Sequence, residues 1–133
     1  MILGGGTTDL AERDEIMKMF WKHQINFVIS TNVISRGIDI PGLSFVLNFD
    51  PPYIKDKDGF YIAQPEQYLH KIGRTGWFGT RGVALTLIDE LDYDKEWKVM
   101  EEIKNKYEIH DLVVLHSAKE VIDEYTKWVY DNV

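Results

Sequence analysis

The chain has 133 residues, 15 Lys and Arg against 22 Asp and Glu, a net charge of −7, 44% hydrophobic residues and no cysteine. That length and composition suit one compact domain that needs no disulfide or structural metal, and they exclude thiol catalysis and Cys-ligated zinc. The acidic balance also excludes a broadly basic nucleic-acid surface, so any such contact has to come from a few placed arginines and backbone amides.

In chain order, Gly4, Gly5 and Gly6 come first. No Gly-Lys-[Ser/Thr] follows them, so they are not a P-loop. From Asp9 to Trp21, Leu10, Ile16, Met17, Phe20 and Trp21 recur at helical spacing, with Asp9 as N-cap and Glu12 three positions on. Three nearly continuous apolar runs, Ile25 to Ile29, Leu43 to Phe49 and Val83 to Ile88, read as strands buried on both faces, the pattern of a parallel sheet. Between them Tyr53 to Gln64 is charged and is expected to be a surface loop. Its Asp56, Asp58 and Gly59 suggest a calcium loop only superficially, because Gly directly follows the second Asp and Gln67 stands where the twelfth-position Glu belongs. A short helix is expected from Pro65. A further helix runs from Asp92 to Tyr107, with Tyr93, Trp97, Met100, Ile103 and Tyr107 as its stripe. Another begins at Ser117, whose capping box closes with Glu120, and continues through Val121, Ile122, Tyr125, Trp128 and Val129. Gly73, Gly76, Gly79 and Gly82 recur every third residue, but the run is too short and proline-poor for collagen.

Helices alternating with parallel strands predict an α/β layered fold whose ligands sit at the carboxyl ends of the strands. The abrupt opening on Met-Ile-Leu-Gly-Gly-Gly suggests that a first βα unit is lacking, and an exposed sheet edge left by it is expected to favour association. No apolar stretch approaches the roughly 18 residues of a membrane span, and no basic-then-apolar leader is present, so a soluble intracellular protein is expected. The histidines at 23, 70, 110 and 116 lack metal-ligand spacing, and no metal site is expected.

Two segments bear chemistry. Ser30-Thr31-Asn32-Val33-Ile34-Ser35-Arg36-Gly37-Ile38-Asp39-Ile40-Pro41-Gly42 follows a predicted strand. Its hydroxyls, arginine, glycine and carboxylate are a donor set for phosphate with an acceptor for a ribose hydroxyl, or else a Gly-containing turn closed by an Arg–Asp pair. His70-Lys71-Ile72-Gly73-Arg74-Thr75-Gly76-Trp77-Phe78-Gly79-Thr80-Arg81-Gly82 runs from a helix into the third strand. Flexible backbone around an arginine suits a guanidinium that reaches a transferring phosphate, and equally an ordinary glycine-capped helix end.

Together these segments resemble motifs V and VI of the DEAD-box RNA helicases, whose patterns are Thr-Asp-Val-x-x-Arg-Gly-x-Asp and His-Arg-x-Gly-Arg-x-x-Arg, in the same order and separation. Leu10-Ala11-Glu12-Arg13 is similar to the family's Gln-x-x-Arg, and Val46-Leu47-Asn48-Phe49-Asp50-Pro51-Pro52 follows motif V as in the family. The resemblance covers roughly residues 5 to 92. The insertion before motif VI and the Thr-Asn-Val sequence look most like the branch that exports mRNA at the nuclear pore, which implies cytoplasmic and nuclear localisation.

The resemblance implies one RecA-like C-terminal domain over residues 1–133, N-terminally truncated, which binds single-stranded or short duplex RNA and completes an ATP site on closing against an N-terminal RecA-like domain. It implies that Gly6, Arg13, Thr31, Arg36 and Gly37 contact the RNA backbone. Gly37, Asp39 and Arg74 would serve ATP, with Asp39 on the ribose and Arg74 as an arginine finger, while His70 couples the two sites. Magnesium would be held mainly by the N-terminal domain, where Walker A and Asp-Glu-Ala-Asp also belong, so this segment alone is expected to be inactive. A nuclear-pore export activator with an inositol polyphosphate is the implied partner.

Three departures matter. Trp77 replaces the final Arg of motif VI, Lys71 replaces its first Arg, and Leu10 stands where Gln is expected. An indole cannot donate to phosphate as a guanidinium does, although Arg81 follows four residues on. Two readings stay open: an RNA-stimulated ATPase, and an ATPase-weak RNA clamp or scaffold of the same ancestry. A third, an α/β interaction domain with no nucleotide role, remains beside them.

Overall fold

Alternating parallel strands and helices build the molecule. The computed structural model describes residues 2–3, 9–31, 43–73, 75 and 81–132. Its elements are β1 (Ile2–Leu3), α1 (Leu10–Trp21), β2 (Ile29–Ser30), β3 (Phe45–Asn48), β4 (Tyr53–Lys55), β5 (Tyr61–Ala63), α2 (Pro65–Ile72), β6 (Val83–Thr86), a 3₁₀ turn (Glu90–Asp92), α3 (Tyr93–Lys106) and α4 (Ala118–Asn132).

The first unit is β1–α1–β2, with Ile2 opposite Ile29 and Leu3 opposite Ser30 in parallel register. The sequence reading places no strand at Ile2–Leu3. Asp9 caps α1 as expected, its carboxylate accepting from the Glu12 amide at 2.7 Å. The helix ends with His23 in the left-handed region at φ 55 and the Gln24 amide donating to the Met19 carbonyl at 2.9 Å, a Schellman closure. Ile16 and Met17 are buried here, with Phe20, Ile25 and Val28 packed around them.

The second unit pairs β3 with β6 in parallel, from Phe45 opposite Val83 to Asn48 opposite Thr86. The crossover between them carries the β4–β5 hairpin and α2, a βαβ arrangement. Burial on both faces is not what β3 shows. Val46 and Asn48 turn to the covered face, while Phe45 and Leu47 stay 37% and 38% exposed. The alternation of a strand explains it: Asn48 on one face reaches Thr86 of β6, and on the other the Phe45 ring lies 5.8 Å from the Tyr125 ring of α4.

The stretch from Tyr53 to Gln64, expected as a loop, is a β-hairpin with Tyr53, Ile54 and Lys55 opposite Ala63, Ile62 and Tyr61. Its tip is self-contained. The Asp56 carboxylate accepts from the Asp58 and Phe60 amides at 2.8 and 2.9 Å, and Gly59 takes the positive φ of 81° that the turn requires. Charged residues in the turn mask the two-residue alternation that sends Tyr53, Tyr61 and Ala63 against α3. Tyr53 and Tyr61 stack at 4.0 Å, Lys55 and Lys95 lie 5.0 and 5.5 Å from the Tyr61 ring centre, and the Tyr61 hydroxyl donates to Asp92 at 2.8 Å. That hydrogen bond holds the phenol above its ordinary pKa.

The larger core forms where α2 and the hairpin meet α3, around buried Tyr68, Val99, Met100 and Ile103. α3 ends as α1 does: Glu108 sits at φ 51 and the Ile109 amide donates to the Lys104 carbonyl at 3.0 Å. In α4 Ser117 accepts from the Glu120 amide at 3.2 Å, while the Glu120 carboxylate accepts from His116, the residue before the expected partner. No residue of α4 is buried. Among the described residues no helix is long and apolar enough to cross a membrane.

Candidate nucleic-acid and nucleotide interface

The carboxyl ends of β2, β3 and β6 carry Ser30 and Thr31, Asn48 to Asp50, and Thr86, the place where open parallel sheets hold ligands. The first two ends line an open cleft of about 1020 Å³ together with the last turns of α2. Its polar lining includes Ser30, Thr31, Asn48, Asp50, Gln67 and Lys71. The hydroxyls, amides and one ammonium on this cleft are donors for anionic oxygens, with the Asp50 carboxylate as an acceptor beside them.

Thr31 and Lys71 are thus brought to one cleft, although they lie 40 residues apart in the chain. Thr31 is exposed at the end of β2. Lys71 is half-buried in the last turn of α2; burial lowers its pKa and the Asp50 carboxylate opposes that shift. His70 precedes it on the exposed side of the same turn. Arg13 is half-buried on α1 and is not among the residues lining the cleft. Gly6, Arg36, Gly37, Asp39 and Arg74 lie outside the described residues, as does Trp77. Arg81 donates to the Asn132 side chain at the end of α4.

Local geometry sets where α2 ends. Pro65 opens the helix, and Gly73 closes it with its amide on the Leu69 carbonyl at 2.8 Å. A Cβ at Gly73 would lie 2.7 Å from that carbonyl oxygen, so the approach requires glycine. Thr75 then donates both its amide and its hydroxyl to the Ile72 carbonyl, at 3.0 and 2.8 Å.

Residues that the sequence reading did not single out complete the surroundings. Glu96 is 3% exposed at the start of α3 and accepts from the Asp89 amide at 2.7 Å. Burial raises its pKa, and Asp50, Asp89 and Asp92 add to the shift. Asn48, 6% exposed, donates to Thr86 at 3.3 Å. A polar residue inside an apolar run, as Asn48 is in Leu43 to Phe49, was the available signal. Among the described residues no three His, Asp or Glu side chains converge as a metal cage.

Residues 3–79 match the family of helicase conserved C-terminal domains. The ATP-dependent RNA helicase DBP5 of Scheffersomyces stipitis is 43% identical over 107 residues, covering 80% of this chain and 20% of that protein. The chain therefore spans about a fifth of the length of that curated relative. Saccharomyces cerevisiae Dbp5 solved with RNA and ADP BeF3 superposes with a TM-score of 0.74 at 34% identity, over 98% of this chain and 31% of that one. A variant C-terminal domain of S. cerevisiae Dbp5, solved with Gle1 and IP6, gives a TM-score of 0.73 at 32% identity, over 96% of this chain and 67% of that one. The chain belongs to the helicase conserved C-terminal domain family, as a RecA-like C-terminal domain of the DEAD-box RNA helicase type.

Proposed function

We propose that this chain is the C-terminal RecA-like half of an ATP-dependent RNA helicase acting in mRNA export at the nuclear pore and in the cytoplasm. The observation that carries the reading is the shared fold, over 98% of the chain, with a relative solved with RNA and ADP BeF3. Thr31 stands at a strand end on the cleft, and Arg13, Arg36, Gly37 and Gly6 join it in holding the RNA backbone through hydroxyl, guanidinium and amide donors. Such contacts position phosphates without reading sequence, and they need no basic surface, in keeping with the net charge of −7.

For the nucleotide, Asp39 accepts from the ribose, Gly37 lets the backbone approach, and Arg74 reaches the γ-phosphate as charge develops there. ATP supplies the phosphoryl group whose transfer resets the cycle. The hydroxyls of Ser30 and Thr31 and the half-buried ammonium of Lys71, all on the cleft, suit an anionic ligand. Magnesium falls to the N-terminal domain. His70 couples the RNA and ATP sites from the exposed turn of α2. The relative solved with Gle1 and IP6 leads us to a protein activator with an inositol polyphosphate as the partner of this chain.

A second reading, an ATPase-weak RNA clamp, is favoured by Trp77 in the place of an arginine and by Arg81 being engaged at Asn132. Steady-state ATP hydrolysis by the full two-domain protein, with and without single-stranded RNA, separates the two. Turnover stimulated by RNA and lost in Arg74→Ala supports the helicase. No turnover, restored by Trp77→Arg, supports the clamp, and no turnover in either form with no RNA binding overturns both.

A further inference from the structure

The chain leaves β3 through Asn48-Phe49-Asp50-Pro51-Pro52, and both ends of that turn are pinned. Asn48 is buried and donates to Thr86 at 3.3 Å, while its carbonyl accepts from the Leu87 amide at 2.9 Å. Pro51 and Pro52 are buried, and the Pro52 carbonyl accepts from the Gln64 amide at 2.8 Å where the hairpin closes. Each proline also fixes its own φ and keeps the residue before it out of the helical region. Between these anchors Phe49 and Asp50 stand in solvent, Phe49 at 68% exposure. The ring is thus held out by fixed backbone on both sides rather than by a loose loop.

A single exposed apolar side chain is ordinary on a protein surface. The place of this one is not. Phe49 lines the cleft at the carboxyl end of β3, and of the large apolar side chains on that cleft it is the most exposed. Strand alternation puts it on the side of Phe45 and Leu47, and the Tyr125 ring of α4 meets that side at Phe45, about 13 Å back along the strand. Among the described residues no aromatic ring or cation stacks on Phe49. The same cleft carries the Ser30 and Thr31 hydroxyls, the Gln67 amide and the Lys71 ammonium, which are donors for phosphate oxygens. Asp50, directly beside Phe49 in the chain, repels phosphate and leaves the ring to an uncharged group. A ligand with phosphates for the donors and a flat uncharged face for the ring matches this lining, and a single-stranded polynucleotide has both in every unit.

We propose that Phe49 is a stacking residue for one base of the single-stranded RNA held on this cleft. The inference rests on the helicase reading for its ligand and deepens it from backbone contacts to a base contact. Every base offers a π-face, so the contact adds affinity and fixes the position of one nucleotide without reading sequence. Pinned backbone leaves little to order when the base arrives, which keeps the entropic cost of that contact low.

The test uses the full two-domain protein with ADP BeF3 and a single-stranded oligouridylate, either intact or lacking the base at one position in turn, with affinity read by fluorescence anisotropy. In wild type, removal of the base at one position is expected to weaken binding about tenfold. Phe49→Ala is expected to weaken the intact RNA about tenfold and the RNA lacking that base by less than about twofold, while Phe49→Trp stays within about twofold of wild type on both. The melting temperature of Phe49→Ala is expected within about 2 °C of wild type, and a larger fall, which marks a packed ring, overturns the proposal. Equal weakening of intact and base-lacking RNA by Phe49→Ala also overturns it and assigns the ring to a contact with the N-terminal domain, as does unchanged affinity for both. Wild type that binds RNA with no dependence on any base removes this inference and leaves the helicase reading standing. Wild type that binds no RNA removes both.

Discussion

The two βα units differ in how much core supports the chemistry placed on them. Among the described residues, Ile16 and Met17 are buried around α1 with three flanking apolar side chains, whereas α2, α3 and the hairpin enclose Tyr68, Val99, Met100 and Ile103 and draw in eight more. Arg13 and Thr31 belong to the first unit, and His70 and Lys71 to the second. The proposed RNA contacts at Arg13 and Thr31 thus fall on the unit with the smaller described core, as expected where ligand elements are drawn from the less stable end of a fold.

Substitutions can break that contrast. Ile103→Ala, at a fully buried site, is expected to cost about 3–5 kcal/mol in denaturant unfolding, and Met17→Ala about 2–3 kcal/mol, because fewer of the described side chains pack around Met17. Equal losses would remove the contrast. Gly73→Ala forces a Cβ to within 2.7 Å of the Leu69 carbonyl oxygen and is expected to cost about 1–2 kcal/mol, with a larger effect on RNA-stimulated turnover than on the α3 core.

A sharper probe is pH. The carboxyl of Glu96 has its pKa raised by burial, so the folded state holds that proton more tightly than the unfolded chain does. Its contribution is complete below the ordinary carboxylate pKa and is lost as pH rises through the raised value. Glu96→Gln, which keeps an acceptor for the Asp89 amide, should raise the melting temperature at pH 7 and lose that advantage near pH 4. The smallest effect expected is at the helix ends. Glu108→Gly and His23→Gly relieve left-handed backbone at two Schellman closures and should each add up to about 1 kcal/mol, read by thermal melting.

Much of the framework was legible in the sequence because its signals are local. The Asp9 cap, the Pro65 start and the α3 stripe depend on neighbours within a turn, and each stands where spacing places it. The hairpin was hidden because its turn is capped by Asp56 and its inward residues are tyrosines among charges. Burial of both faces of β3 was misread because an apolar run does not say which neighbours arrive, and the Phe45 ring meets Tyr125 of α4, a helix with no buried residue. At the site, the meeting of Thr31 with Lys71 on one cleft, and of Asn48 with Thr86, arises from topology alone.

The central claim is that RNA is held along the strand ends of the first unit. Photo-crosslinking of single-stranded RNA to the full two-domain protein in the presence of ADP BeF3, with the sites mapped by mass spectrometry, tests it directly. Crosslinks in the segments bearing Arg13, Thr31 and Arg36, lost in Thr31→Ala with Arg36→Ala, are the expected result. Crosslinks that never fall near Thr31 or Arg36 would contradict it.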